Sequence, residues 1–242
     1  MMGNIEDKDE SIIEHIEAFR RMLLKCITSL GMFYIPIFLI SPKCLNILIK
    51  ILIKDNNIAL NYFSPIEVFL LQIKLAFVVD LIACFPYIAR QMWKFFAPAL
   101  YEHERKFIKS IVFLSTLLFL IGSLFCLFVI LPLVINFGLS FSASNINPLL
   151  GISNVVNMSL WMSLAFGLTF QMPLVVHSLI KSGFVEYETF KNMRPYIIVG
   201  ILVVAGILTP PDILSQISLF LPTYLLFELG LLFSKVKKEK NE

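Results

Sequence analysis

Six long apolar runs, separated by short polar connectors, are the feature of this sequence that most restricts its fold. They cover residues 22–40, 65–89, 108–137, 155–180, 195–208 and 213–233. A bilayer core about 30 Å thick requires about 20 helical residues, and the first four runs meet that length. Because 58% of the 242 residues are hydrophobic, more than a soluble domain can bury, we predict an all-α membrane protein. Its six transmembrane helices form a single domain, 1–242.

The last two helices are predicted to form a short hairpin. The fifth run stops at Thr209, Pro210 and Pro211 after about 21 Å of helix, and Pro222 interrupts the sixth run. Local thinning of the bilayer accommodates such a mismatch. Four prolines are expected to break or kink helices: Pro86, Pro132, Pro173 and Pro222.

The distribution of Lys and Arg predicts the orientation of the chain, because cytoplasmic loops of membrane proteins carry an excess of these residues. With the N-terminus inside, the outer side receives Lys43, Lys50 and Lys54, and Lys74 lies within the second run. All the others of the 20 Lys and Arg residues fall on the inner side. Both termini are therefore predicted to be cytoplasmic. Residues 1–21 form an amphipathic cytoplasmic segment, 22–233 the membrane bundle, and 234–242 a basic cytoplasmic tail.

Several classes of function have no support in the sequence. The four cysteines stand singly, without a CxxC pair, so metal or redox chemistry is not expected. The three histidines lie in separate regions, and no GxxxxGK[ST] nucleotide motif occurs. The acidic, polar start of the chain does not fit a cleavable signal peptide, and the net charge of +3 gives no reason to expect a nucleic-acid partner. We therefore predict no enzyme activity, no cofactor and no metal.

The connector after the second run has more side-chain chemistry than a turn requires. It reads WKFFAPALYEHER from Trp93 to Arg105. It combines an aromatic cluster, one proline and a group of acidic and basic residues: Trp93, Phe95, Phe96, Pro98, Tyr101, Glu102, His103, Glu104 and Arg105. This composition indicates a binding surface rather than a plain connection.

This connector resembles the first cytoplasmic loop of the TatC family, the signal-peptide receptor subunits of the twin-arginine protein translocase. Other stretches resemble the family in the same order: IIEHIEAFRRMLLKC at 12–26, SPIEVFLLQIK at 64–74, AFGLTFQMPLV at 165–175, and the closing hairpin, KNMRPYIIVG at 191–200 with LTPPDILSQISLFLPTYLLFE at 208–228. On these motifs the chain is identified as a member of the family. The resemblance implies that the six helices form a cup-like bundle.

The resemblance also implies a receptor rather than an enzyme. Such a subunit binds twin-arginine signal peptides of folded cargo at its cytoplasmic face and recruits the single-span subunits TatB and TatA. It serves protein export driven by the proton-motive force. A bacterial-type inner membrane and a homo-oligomer within the complex are further implications.

Candidate signal-peptide-binding residues follow from the same resemblance. Glu104 matches the family's functional glutamate, and Phe95 matches a family aromatic residue. His15, Glu17 and Arg20 are polar residues of the N-terminal segment. A guanidinium group matches a carboxylate in a bidentate fork that lysine cannot copy. A receptor that reads two arginines is therefore expected to present a carboxylate such as Glu104.

One position departs from the family pattern HLxELR, which places Glu three residues after His. Here Ala18 holds that position, and Glu17 precedes it. One position on a helix is a rotation of about 100°, so Glu17 is expected to point away from the surface that the family's glutamate occupies. An apolar stripe in the same segment leaves open a second interpretation, an interfacial helix with solvated charges: Ile12, Ile16, Phe19 and Leu23.

Structural roles compete with the assignments in the connector as well. An exposed pair of Glu104 with Arg105 or Lys106 contributes about 0–1 kcal/mol. Phe95 and Trp93 suit the aromatic belt at a membrane interface. The sequence leaves these interpretations open.

Polar residues at membrane depth form a second set of candidates. Each charge there costs about 2.5–3.5 kcal/mol on insertion scales, so partners are expected for Glu67, Lys74, Asp80 and Gln171. One polar groove inside the bundle would explain all four. Snorkelling of Glu67 and Lys74 toward the outer interface is the alternative, and the role of Asp80 is left open.

The closing hairpin contains the remaining candidates. Asp212 is placed to cap the sixth helix, and its match to a family acidic residue keeps a functional role open. Gln216 and Glu228 are predicted to bond to a neighbouring helix or to the helix of a partner subunit.

Two other functions compete with the receptor. An ion-coupled small-solute transporter would place residues such as Glu67, Lys74, Asp80 and Gln171 at its midplane. It would also show an internal repeat, which the sequence lacks. A structural scaffold would leave the connector at 93–105 unexplained.

Overall fold

The structure, a computed structural model, describes residues 3–52, 60–100, 105–140, 150–209 and 212–238, with side chains for all of these except 3–13, 15, 96–100, 105–108 and 235–238. Almost every described residue is helical. The elements are α1 Gly3–Leu52, β1 Leu60–Asn61, α2 Pro65–Leu100, α3 Arg105–Phe125, a π-helical turn Cys126–Ile130, α4 Leu131–Ser140, β2 Leu150–Gly151, α5 Ile152–Thr169, α6 Met172–Lys181, α7 Tyr187–Asn192, α8 Arg194–Leu208 and α9 Ile213–Lys238.

The predicted all-α membrane architecture is confirmed. Five helical stretches are long and apolar enough to cross a membrane: Ile16–Leu52, Pro65–Phe95, Lys109–Ser140, Ile152–Lys181 and Ile213–Ser234. The shorter apolar helix α8, with 15 residues, contains the fifth predicted run. All six predicted runs are therefore helical, apart from a break at residues 170–171 in the fourth run, and the fifth is short as expected.

Two predicted boundaries are replaced by continuous helix. The N-terminal segment and the first run belong to one helix, α1, of 50 residues. Pro36 and Pro42 lie inside it without ending it. The connector after the second run is also helical as far as Leu100, two residues beyond Pro98. The first part of the predicted binding loop is therefore the end of a helix.

The prolines affect the helices in different ways. The π-helical turn Cys126–Ile130 precedes Pro132, whose ring clashes with the carbonyl four residues earlier and favours a wider turn. The helix also breaks at residues 170–171, and Pro173 lies in the first turn of α6. By contrast, α9 continues past Pro222 for a total of 26 residues. The predicted interruption of the sixth helix is therefore absent, and the basic tail begins within α9.

The described residues form a main core and two smaller clusters, one near the end of α2 and one between α6 and α9. The main core is centred on residues of α2, α5, the π-helical turn and the start of α4, among them Leu71, Leu131, Met162 and Phe166. In the cluster near the end of α2, the rings of Phe85 and Phe119 stack with centroids 3.7 Å apart and join α2 to α3.

The bundle has two ends, a basic side and a far side. The basic side is the end where α2 and α6 finish and α8 begins, with Lys94, Lys181 and Arg194. The far side is the opposite end, where β1 pairs in parallel with β2 and Leu60 lies opposite Leu150. The distribution of Lys and Arg predicts that the basic side faces the cytoplasm.

Candidate functional site

A pocket of about 500 Å³ lies between α1 and the end of α2 on the basic side. Its α1 residues are three or four positions apart and therefore share one helix face. The pocket is lined by Glu14, Glu17, Ala18, Arg21, Met22, Lys25, Gln91, Lys94 and Phe95. Glu17 and Phe95, two of the predicted signal-peptide-binding residues, thus come together although they are far apart in the sequence.

The pocket holds charges of both signs. Its carboxylates belong to Glu14 and Glu17, and its cations to Arg21, Lys25 and Lys94. Arg21 Nη2 donates to Glu17 Oε2 over 2.5 Å, and both side chains are more than half exposed. An exposed pair of this kind contributes about 0.2–1 kcal/mol. Glu17 therefore exchanges its partner at little cost.

Ala18, at the position where the family pattern has glutamate, lines this pocket together with Glu17. Both Glu17 and Ala18 line it, so the expectation that Glu17 points away from this surface is wrong. A rotation of about 100° leaves adjacent residues on adjoining parts of a broad face. Glu14, which the motif comparison did not select, adds a carboxylate one helical turn before Ala18. The four-residue spacing was the signal that could have identified it.

The predicted aromatic surface is divided between the pocket and the core. Phe95 lines the pocket, and its ring centroid lies 5.7 Å from that of Phe19 on α1. Trp93 instead packs against the cluster of Phe85 and Phe119. Among the described side chains of the connector, Phe95 and Lys94 are therefore the ones that reach the pocket.

A second cavity, of about 700 Å³, extends from this pocket along α1 and α2 toward the far side. Lys25 lines both cavities. Most of the second lining is apolar, as at Met32, Phe33 and Tyr87, and its interior polar residues include Ser29 and Cys84. We call the two cavities together the α1–α2 groove. It is charged at the basic side and apolar toward the far side.

Of the other predicted signal-peptide-binding residues, the structure describes the side chain of Arg20. Glu104 lies outside the described residues, and so does the side chain of His15. Arg20 is exposed on α1 and is not part of the pocket lining. Among the residues that the structure describes, no group of three His, Cys, Asp or Glu side chains could hold a metal ion.

The charged residues of α2 make separate contacts instead of lining one polar groove. Glu67 Oε2 accepts a hydrogen bond of 2.8 Å from the backbone N–H of Phe63 at the far side. Lys74 Nζ donates to Asn157 Oδ1 of α5 over 3.2 Å. Asp80 is fully buried. The expectation of a single groove for these residues is therefore wrong.

Gln171 has its own partner on α3. Its Oε1 accepts from Ser115 Oγ at 2.7 Å, and its Nε2 donates to the Ser115 carbonyl oxygen at 3.0 Å. The same residue lies where the helix breaks between α5 and α6. The two side-chain hydrogen bonds tie this break to α3.

Three predicted residues hold the closing hairpin together. Asp212 Oδ2 accepts from the backbone N–H three residues later at 2.7 Å, which confirms the predicted cap of α9. Gln216 Nε2 donates to the carbonyl oxygen of Leu202 on α8 at 3.0 Å. Glu228 Oε2 accepts from Arg194 Nη2 at 2.7 Å. Gln216 and Glu228 thus bond to a neighbouring helix, which is one of the two predicted alternatives; the other was the helix of a partner subunit.

Comparisons with known proteins place this geometry beside one family. Residues 14–222 match the family described as TatC, Sec-independent protein translocase protein. The Sec-independent protein translocase protein TatC of Escherichia coli O6:H1 is 35% identical over 245 residues, which cover 98% of this chain and 93% of that protein. The corresponding TatCy of Bacillus subtilis is 31% identical, with 100% and 95% covered. The crystal structure of the twin arginine translocase receptor TatC in DDM has a TM-score of 0.84 at 30% identity, covering 91% of this chain and 99% of that chain.

Proposed function

This chain belongs to the TatC family of Sec-independent protein translocase proteins, and we propose that it is the receptor subunit that binds twin-arginine signal peptides. The observation that carries the proposal is the pocket between α1 and α2, where Glu17 and Phe95 meet. Its volume of about 500 Å³ lies in the range of ligand pockets, about 300–1,000 Å³.

The chemistry of the pocket suits an arginine pair. Guanidinium groups form bidentate bonds with carboxylates, and Glu14 and Glu17 supply two carboxylates on one face of α1. Glu17 is already bonded to a guanidinium group, that of Arg21. An incoming arginine replaces this partner with one of the same geometry. Phe95 offers a ring face on which a guanidinium group stacks, and Glu104 of the adjacent connector supplies the further carboxylate that the family resemblance assigns.

The apolar part of the α1–α2 groove suits the apolar segment of such a peptide. It begins at Lys25, which also lines the charged pocket, and continues along apolar side chains such as Met32 and Phe33. A peptide with arginines followed by an apolar stretch presents the same order of chemistry. The proposal therefore assigns both parts of the groove to one ligand.

We further propose that this chain acts in a bacterial-type inner membrane, with both termini in the cytoplasm and with TatB and TatA as single-span partners in an oligomeric complex. The excess of Lys and Arg on the basic side supports this orientation. On α8, an exposed apolar stripe at four-residue spacing suits contact with a partner helix: Val199, Val203 and Ile207. Export driven by the proton-motive force is the activity that the complex would serve.

The receptor function predicts selective crosslinking from the pocket. A photoreactive amino acid at Phe95 or Glu104 is expected to label a bound peptide that carries Arg-Arg and to lose this labelling when the pair is Lys-Lys, since lysine lacks the bidentate fork. Crosslinked product is measured by mass spectrometry with the full chain in lipid nanodiscs. The same amino acid at Phe113, which is 71% exposed on α3, serves as the control. Equal labelling with Arg-Arg and Lys-Lys would contradict the proposal.

Arg21 is expected to compete with the peptide for Glu17. Arg21→Gln removes both the competing guanidinium group and a like charge, so the peptide should bind up to about 5-fold more tightly, the equivalent of an exposed ion pair. Glu17→Gln should weaken binding by a similar factor. Both effects are measured as the Kd of a fluorescent Arg-Arg peptide. Lys191→Gln is the matched control, because Lys191 forms an exposed pair with Glu188 on α7, away from the pocket. If Lys191→Gln also tightened peptide binding, the effect of Arg21→Gln would be explained by the change in net charge and not by competition for Glu17.

A further inference from the structure

A short chain of hydrogen bonds crosses from α1 to α2 beside the apolar part of the groove. Ser29 Oγ of α1 donates to Cys84 Sγ of α2 over 3.8 Å, and Cys84 Sγ donates to Asp80 Oδ1 over 3.4 Å. Asp80 is 0% exposed, and its Oδ2 has no hydrogen-bond partner among the described residues. A carboxyl group at this depth with a thiol as its donor is costly to maintain. Packing alone does not account for it, because an apolar side chain fills such a position without that cost.

The series of hydrogen bonds from Ser29 to Asp80 runs in one direction, from donor to acceptor. Ser29 and Cys84 line the apolar cavity, and Asp80 lies one helical turn behind Cys84. A hydroxyl group has one hydrogen, and that of Ser29 is directed to Cys84. Ser29 Oγ therefore presents only acceptor lone pairs to the cavity. It is the first donor in a series in which Ser29 donates to Cys84 and Cys84 donates to the carboxyl group of Asp80. The group it can take from a ligand is a hydrogen-bond donor.

We propose that the Ser29–Cys84–Asp80 chain is a second recognition point in the α1–α2 groove, which takes a hydroxyl or ammonium side chain from the apolar segment of the bound peptide. This inference rests on the proposed receptor function and adds a specificity determinant to it. Glu17 and Ser29 are separated along α1 by about 18 Å at 1.5 Å per residue. The donor on the peptide therefore lies about 12 residues after the arginines if the segment is helical, or about five to six residues after them if it is extended.

A scan of peptides against the full chain in nanodiscs tests this inference. Each probe carries Arg-Arg followed by a Leu/Ala segment in which one Ala is replaced by Ser, or in a parallel series by Lys, at successive positions. We expect Kd to fall by about 3- to 20-fold at one register, the range measured for hydrogen bonds between membrane helices. A larger gain with Lys identifies the ammonium group as the preferred ligand, and a larger gain with Ser identifies the hydroxyl.

Substitutions of Ser29 and Cys84 then test whether the gain in peptide affinity depends on these two side chains. Ser29→Ala and Cys84→Ala should flatten the register profile, while Cys84→Ser, which keeps a donor and an acceptor at this position, should retain it. Ser159→Ala is the matched control, since Ser159 is buried on α5 and bonds within its own helix to Val155. It should leave the profile unchanged.

Two results would overturn the inference. One is a flat profile in the unaltered protein that still prefers Arg-Arg to Lys-Lys, which leaves the receptor function intact. The other is a peak that persists in Ser29→Ala and Cys84→Ala. Loss of the Arg-Arg preference itself would contradict the proposed function instead, so the two failures are distinguishable.

Discussion

Replacing Gly122 with alanine is expected to destabilise the protein by roughly 1–3 kcal/mol, the usual cost of overpacking. A Cβ atom at Gly122 of α3 would lie 2.6 Å from the carbonyl oxygen of Phe166 and 2.7 Å from Cγ of Phe170. The first of these is a backbone atom, so it moves only if α3 and α5 separate. Gly167→Ala should act alike, because its Cβ would lie 2.7 Å from both the Phe119 ring and Ser123 Oγ.

The free energy of unfolding, measured by denaturant titration in detergent, checks this prediction. Gly200→Ala on α8 is the matched control, because a Cβ atom there would meet nothing within 4 Å. An alanine in place of a helical glycine contributes about 0.5–1 kcal/mol of stability, so the control should be neutral or more stable. An equal loss in Gly122→Ala and Gly200→Ala would show that the close approach of α3 and α5 is not the cause.

The position of the membrane helices could be predicted because hydropathy and length determine it. The fifth predicted run, 195–208, differs by one residue from α8, Arg194–Leu208. The ends of α1 and α2 could not be predicted in the same way. A helix that passes out of an apolar run continues while its residues permit it. The helix α1 already begins at Gly3, and α2 continues beyond Ala89 to Leu100.

Residues of the candidate site could be predicted where they belong to a sequence motif. They could not be predicted where only contact in the folded protein brings them together. Phe95 and Glu17 come from the motif comparison, and both line the pocket. Asp80 shows no motif, and its relation to Ser29 depends on how α1 packs against α2. Ser29 and Cys84 are 55 positions apart in the sequence, so no local pattern connects them.

The pair of Arg194 and Glu228 gives the second large effect. Glu228→Leu is expected to destabilise the protein by about 1.5–3 kcal/mol, the value of a hydrogen bond to a charged group. Arg194 would lose its 2.7 Å bond to Glu228, and Tyr224 would lose the 3.0 Å bond that its hydroxyl donates to the same carboxylate. Because Arg194 is 39% exposed, it keeps part of its hydration, and the loss should fall in the lower half of this range.

A charge swap shows whether the loss of stability comes from the ion pair or from lost packing. Arg194→Glu combined with Glu228→Arg should recover most of the unfolding free energy that each single change removes, since the opposite charges meet again at the start of α8. A double-mutant cycle measures this coupling. Additive losses in the swapped protein would show that the two residues act independently. Recovery would show that this ion pair fixes the start of the short helix α8 against α9.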